Sequence, residues 1–214
     1  MVPIYYINLD TRPDRRDFME RQFRELGLSA TRLTATSPAT LSLAPSSVKH
    51  PDMAVREPMT ATELACLESH SRAWRAVAEG DAPFALIFED DLLLSRQLGK
   101  FLKALAPSPE WDVLRLETNF HSVRVGSMPV MAGGFEARRL MQPQSGAGAY
   151  IVTREAARSY LASDYFRAVP ADTLVYAWPH VFALRVWQLM PGLAAHLEQM
   201  PGRGAEPAAQ SEIG

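Results

Sequence analysis

The chain has 214 residues, of which 47% are hydrophobic and 21% charged, values ordinary for a globular protein and unlike those of a disordered one. A net charge of -2 gives no global electrostatic case for binding nucleic acid. The single cysteine, Cys66, excludes an intrachain disulfide and a zinc cluster built of cysteines, and it fits a reducing compartment. The length suits one α/β domain, expected over residues 1–200, followed by a disordered Gly-, Ala-, Pro- and Glu-rich tail over 201–214. No stretch approaches the roughly 20 apolar residues that span a bilayer, and the start does not read as a secretory signal. The expectation is a cytoplasmic protein whose membrane contact is at most peripheral, at the inner face of the cell membrane.

Val2 to Leu9 is a short apolar run rich in β-branched and aromatic residues, and Asp10-Thr11-Arg12-Pro13 then reads as a helix entrance with proline in the first turn. The helix places Phe18, Met19, Phe23 and Leu26 on one side and stops at Gly27. Residues 30–35 suit a second strand. Thr36 to Met59, rich in Pro, Ser, Ala and Thr, reads as a long surface loop, expected to be mobile and to close over a ligand. Thr60 to Glu63 fits a capping box, and Leu64, Leu67, Ser71, Trp74 and Ala78 follow at helical spacing up to Gly80. Phe84 to Phe88 is a continuous apolar run, the pattern of a buried strand, and it ends abruptly in Glu89-Asp90-Asp91. A helix carrying Leu98, Phe101, Leu102 and Leu105 stops at Pro107. Trp111 to Leu116 and Ala149 to Thr153 read as strands, the latter leading into a helix over Arg154 to Leu161. Strands alternating with amphipathic helices predict a mainly parallel, Rossmann-type sheet with helices on both faces and ligands at the carboxyl ends of its strands.

The sharpest constellation is Glu89-Asp90-Asp91, three acids that repel one another unless water or a cation neutralises them. Hard cations such as Mg²⁺ and Mn²⁺ prefer carboxylate oxygens and retain open positions for phosphate. Along an extended segment Glu89 and Asp91 point one way and Asp90 the other, which pairs Glu89 with Asp91 as candidate metal ligands. The alternative is a solvated acidic turn capping the next helix.

Several segments together resemble glycosyltransferase family 25, the lipopolysaccharide and lipooligosaccharide galactosyltransferases. They are Tyr6-Ile7-Asn8-Leu9 with Arg12, Arg15 and Arg16; Glu63-x-Ala65-Cys66-x-x-Ser69-His70 through Trp74; Phe88-Glu89-Asp90-Asp91; Arg115-Leu116-Glu117-Thr118; and Gly146 to Tyr150 leading through Thr153-Arg154 into a helix. The resemblance covers roughly residues 4–199. It implies a GT-A-like fold, a UDP-sugar donor with Mn²⁺ or Mg²⁺, and a β-linked sugar, often galactose, added to a glycan or glycolipid acceptor. By the same resemblance the acidic triplet is the metal motif, with Asp90 beside the nucleotide, and Asn8, Arg12, Arg16, Ser69 and His70 lie near the donor. Arginines in the first turn of a helix suit a diphosphate, although they can equally solvate the helix surface. His70 can equally be a satisfied buried histidine, and Cys66 reads as a small core residue.

Asp172, in Pro170-Ala171-Asp172-Thr173, is the candidate general base of an inverting transfer, or else a helix cap. Glu117 is the second candidate base; it can bind the acceptor sugar or pair with Arg115. Gly146-Ala147-Gly148-Ala149-Tyr150 is no dinucleotide fingerprint, because it precedes a strand and lacks the third glycine. Two departures stand out: the family has Gly-Thr-Ala-Gly-Tyr where this chain has Gly-Ala-Gly-Ala-Tyr, and many members carry a longer basic C-terminal segment. The rival readings are a catalytically silent nucleotide-sugar-binding module and a metal-dependent nucleotidyltransferase or phosphohydrolase.

Overall fold

The computed structural model describes residues 1–45, 58–108, 110–177 and 183–199. The chain opens with β1 (Ile4–Asn8), α1 (Pro13–Glu25), β2 (Thr31–Thr34) and a 3-10 turn (Pro38–Thr40). It continues with α2 (Ala61–Glu79), β3 (Phe84–Phe88), β4 (Leu92–Leu94), α3 (Leu98–Ala104), β5 (Val113–Arg115) and β6 (Glu117–Thr118). Then follow β7 (Val125–Ala132), β8 (Phe135–Leu140), β9 (Ala149–Thr153), α4 (Arg154–Ala162), a π-helical turn (Thr173–Ala177), β10 (Val186–Met190) and β11 (Ala194–His196). Helix α1 starts on the proline, whose fixed φ and missing N–H suit a first turn, and ends where Gly27 adopts φ +65°.

Eight strands form one sheet in the order β2-β1-β3-β9-β5-β10-β8-β7, and β4-β11-β6 form a small second sheet. Alternation along each strand builds two cores. Phe84, Leu86 and Phe88 of β3 face α1 and α3, together with Met19, Phe23, Leu98 and Phe101. Ala85 and Ile87 face the other way, toward Trp74 and Val77 of α2 and Tyr160 of α4. This is the α/β architecture with helices on both faces that the apolar runs predict.

The sheet expected to be mainly parallel is mixed. The β1–β2, β1–β3 and β5–β10 ladders are parallel, while β9 runs antiparallel between β3 and β5, and the β7–β8 hairpin adds antiparallel strands at one edge. The physical reason lies in burial: Ala149 to Val152 is buried on both faces, and such a run has the same composition whichever way it points. One consequence positions the site. The carboxyl ends of β1, β3 and β5 and the amino end of β9 meet at one edge of the sheet.

Within the stretch expected as a loop over 36–59, the first part is tied down. Ser42 N–H and Oγ–H and Leu43 N–H all donate to the Glu68 carboxylate on α2, at 3.0, 2.8 and 3.0 Å. Residues 46–57 of that loop and the tail over 201–214 lie outside the described residues. Among the described residues no helix is long and apolar enough to cross a membrane.

Candidate active site

The buried strand β3 delivers the acidic triplet to the polar edge, and each acid then takes a different partner. The Glu89 backbone N–H donates to Gly148 O at 2.8 Å, which joins the end of β3 to the start of β9. The Glu89 side chain meets His70 Nε2 at 3.1 Å. Asp90 turns back into the protein, where Asn8 Nδ2 donates to it at 2.6 Å and Arg15 at 3.1 Å. Burial pushes the Asp90 carboxyl up from its ordinary value, more than Asn8 and Arg15 bring it down. Asp91 lies 3.3 Å from Arg15 and 3.3 Å from His196 Nδ1. Burial acts against its charge too, but His196 and Arg15 prevail and hold Asp91 below the usual carboxylate range.

His196 carries no distinctive sequence motif and reaches the site through strand register. In the antiparallel β4–β11 ladder it stands opposite Leu92, next to Asp91, and the Leu197 N–H donates to Asp91 O at 3.0 Å. Its second ring nitrogen, Nε2, lies 3.1 Å from Glu117 Oε2. Burial opposes a charge on His196, but the Asp91 and Glu117 carboxylates on either side of its ring outweigh it and raise the imidazole to about 10. Glu117, fully buried, also pairs with Arg115 at 3.2 Å and accepts the Gly148 N–H at 2.9 Å. A Cβ on Gly148 would sit 2.7 Å from both Glu117 Oε2 and His196 Nε2, so this position has room only for glycine.

The capping box at Thr60 and Glu63 fixes the start of α2, and that helix carries the opposite wall. His70 is 1% exposed, with Tyr150 Oη 2.9 Å from its Nδ1. Trp74 Nε1–H donates to the same hydroxyl at 2.8 Å. His70 thus lies between the Tyr150 hydroxyl and the Glu89 carboxylate; burial opposes its charge, but Tyr150, Cys66 and Glu89 outweigh it and raise the imidazole from its ordinary value. Ser69 accepts the Thr36 N–H and donates to Ala65 O, both at 2.8 Å. It pins the segment after β2 against α2. Thr36 lines the cleft, and its buried Oγ1 has no hydrogen-bond partner among the described residues.

Between these walls lies a cavity of about 260 Å³ lined by Asn8, Arg15, Thr36, Glu89, Asp91 and His196, among others. A second cavity of about 390 Å³ shares Thr62, Cys66 and Glu89 with it and is bordered by Gly146 and Asp172. Asp172 Oδ2 accepts the Gly146 N–H at 3.0 Å and Oδ1 accepts the Thr173 N–H at 2.7 Å, so one carboxylate fastens the glycine turn to the π-helical segment. Glu117 borders neither cavity and lies behind the His196 wall.

The structure thus brings Glu89, Asp90, Asp91, Asn8, Ser69 and His70 to one cleft. Asn8 is committed to Asp90, Arg12 O and the Arg32 guanidinium. Of the three arginines near the start of α1, Arg15 enters the cleft; Arg12 pairs with Asp14 at 2.8 Å and Arg16 approaches Asp17 at 3.9 Å, and neither lines it. Helical phase separates Arg15 from Arg16, one residue apart, while Arg12 stands before the helix at its N-cap and turns to Asp14. One ligand atom each from Glu89, Asp91 and His196 lie within 4.8 Å of one another, a set of two carboxylates and an imidazole able to hold a divalent cation.

Residues 1–175 match glycosyltransferase family 25 (LPS biosynthesis protein). The chain is 26% identical to the lipooligosaccharide biosynthesis protein lic2B of Haemophilus influenzae, across 92% of this chain and 76% of that one. It is 31% identical to the lacto-N-neotetraose biosynthesis glycosyltransferase LgtE of Neisseria meningitidis serogroup B, across 57% of this chain and 45% of that one. It is 30% identical to procollagen galactosyltransferase 1-A of Xenopus laevis, across 53% of this chain and 20% of that one. The matched regions thus span less than half the length of the latter two.

Proposed function

Because the chain belongs to glycosyltransferase family 25, we propose that it is an inverting, metal-dependent hexosyltransferase that moves galactose from a UDP-sugar to a lipopolysaccharide or lipooligosaccharide acceptor. The observation that carries this reading is the convergence of Glu89, Asp91 and His196 beside Arg15 at the carboxyl edge of the sheet. The names of the Haemophilus and Xenopus relatives support the acceptor class and the sugar.

The residues fit a cation. Asp91 Oδ1 is buried and lacks an aligned hydrogen-bond donor, although His196 is at ion-pair distance. A cation there would take the place of the His196 Nδ1 proton, with Nε2–H kept on Glu117, the carboxylate-backed arrangement common to metal-bound histidines. A Mn²⁺ or Mg²⁺ ion held by Glu89, Asp91 and His196 would supply positive charge to the departing diphosphate. Arg15 adds a second positive group on the same side.

In this reading Asp172, in the adjoining cavity beyond Glu89, takes the proton of the acceptor hydroxyl as it attacks the anomeric carbon from the face opposite UDP. Glu117 acts as a positioning residue for His196 and the Gly148 backbone rather than as a base.

Incubation with UDP-galactose, Mn²⁺ and a truncated lipooligosaccharide, followed by mass spectrometry, tests the proposal. An acceptor heavier by one hexose supports it. Release of UMP and galactose 1-phosphate with the acceptor unchanged supports a phosphohydrolase, and donor binding without turnover supports a silent module.

A further inference from the structure

We propose that Cys66, His70 and Glu89 form a second metal site, selective for a thiophilic divalent cation such as Zn²⁺, which shares Glu89 with the Glu89–Asp91–His196 corner. Cys66 and His70 stand four residues apart on α2 and so project from the same face of the helix. Glu89 meets them from the end of β3, and one ligand atom from each of the three lies within 4.8 Å of the others. Three protein ligands with an open side are the makings of an accessible zinc site. The open side is present, since Cys66 and Glu89 border both cavities.

The two corners differ in donor chemistry. Oxygen-rich Glu89–Asp91–His196 suits Mg²⁺ or Mn²⁺, whereas sulfur and imidazole favour Zn²⁺. His70 is also supported from behind. When Nε2 faces a metal, Nδ1 carries the proton and donates to Tyr150 Oη, which also accepts from Trp74. Binding forms a metal–sulfur bond and releases the thiol proton to solvent, with no change of oxidation state.

Sharing Glu89 sets the two corners against each other. A carboxylate drawn toward Cys66 and His70 is withdrawn from Asp91 and His196, so a soft metal weakens the hard-cation corner. That consequence rests on the reading of Glu89 and Asp91 as ligands for the donor's cation; the zinc site itself does not.

The chain has one cysteine, so any thiol signal reports on Cys66 alone. Iodoacetamide alkylation of the wild-type protein is followed in excess Mg²⁺, with and without stoichiometric Zn²⁺. We expect Zn²⁺ to slow alkylation at least ten-fold while Mg²⁺ has no effect, and Co²⁺ to give a thiolate-to-cobalt absorption band. His70→Asn and Glu89→Gln should each weaken the protection. Unchanged alkylation in Zn²⁺, or equal protection in wild type and both variants, overturns the site. These readouts need neither donor, acceptor nor turnover, so they stand or fall apart from the transferase reading. Zn²⁺ that protects the thiol yet leaves Mn²⁺-dependent UDP binding intact overturns the sharing of Glu89.

Discussion

Asp172 and Glu117, the two acids proposed from sequence as bases, occupy different surroundings. Glu117 is fully buried and spends its oxygens on Arg115, Gly148 and His196. Asp172 is half-buried at the wall of an open cavity. A general base contributes through the transition state and not through the donor's ground-state binding, so its removal acts on rate. Asp172→Asn should lower the transfer rate by roughly 10² to 10⁴ while UDP affinity changes little. Turnover assays and calorimetry on the same preparation check this, and near-wild-type turnover would leave Asp172 only its role of holding Gly146. At this scale the acidic triplet at the cleft was visible in the sequence, because polar residues immediately after an apolar run stand out, whereas His70 drew notice only through the family resemblance. His196 was not: only the pairing of β11 with β4 brings it to Asp91, and no local pattern encodes that pairing. The choice of Arg15 over Arg16 required the phase of α1, and that over Arg12 the place where the helix begins, which a list of basic residues does not supply.

Among the elements, α2 was legible nearly residue for residue, since its capping box and apolar stripe act locally. The direction of β9 was not, because strand polarity is a property of tertiary pairing. These two elements meet at Tyr150, whose hydroxyl joins Trp74 and His70 of α2 to β9. Tyr150→Phe preserves the volume but leaves the Trp74 N–H and the His70 ring nitrogen without this partner in a buried place. Chemical denaturation should show a loss of about 1–3 kcal/mol, the usual cost of orphaned buried polar groups. A loss indistinguishable from zero would mean that this relay adds nothing to the packing of α2 on β9.

Glu68 likewise fastens the segment after the 3-10 turn to α2. Burial raises its pKa, but the Ser42 and Leu43 hydrogen bonds and Arg72 prevail, so the folded pKa lies below the ordinary 4.5. The unfolded chain therefore holds the proton more tightly in acid. The stabilisation is present above the unfolded pKa and is lost as pH falls through the folded one. Hydrogen-exchange protection of the Ser42 and Leu43 amides should be constant near neutrality and decline in acid, with Glu68→Gln abolishing the pH dependence. Protection that is independent of pH in the wild type would contradict this anchor.

Across the whole molecule, α/β architecture was legible because alternating apolar strands and amphipathic helices leave few ways to bury both faces of a sheet. The sheet's edge hairpin and the small β4-β11-β6 sheet were not, since short strands with partly exposed residues carry weak periodicity. Yet the small sheet completes the site, by carrying His196 to the end of the large one. The central claim is that this junction holds the donor's diphosphate through a divalent cation. Calorimetric titration of UDP in Mn²⁺ and again in EDTA tests it most directly. Binding in Mn²⁺ is expected to be lost in EDTA, and Asp91→Asn to weaken the Mn²⁺-dependent affinity at least ten-fold, about 1.4 kcal/mol. Equal UDP affinity in Mn²⁺ and EDTA would contradict it.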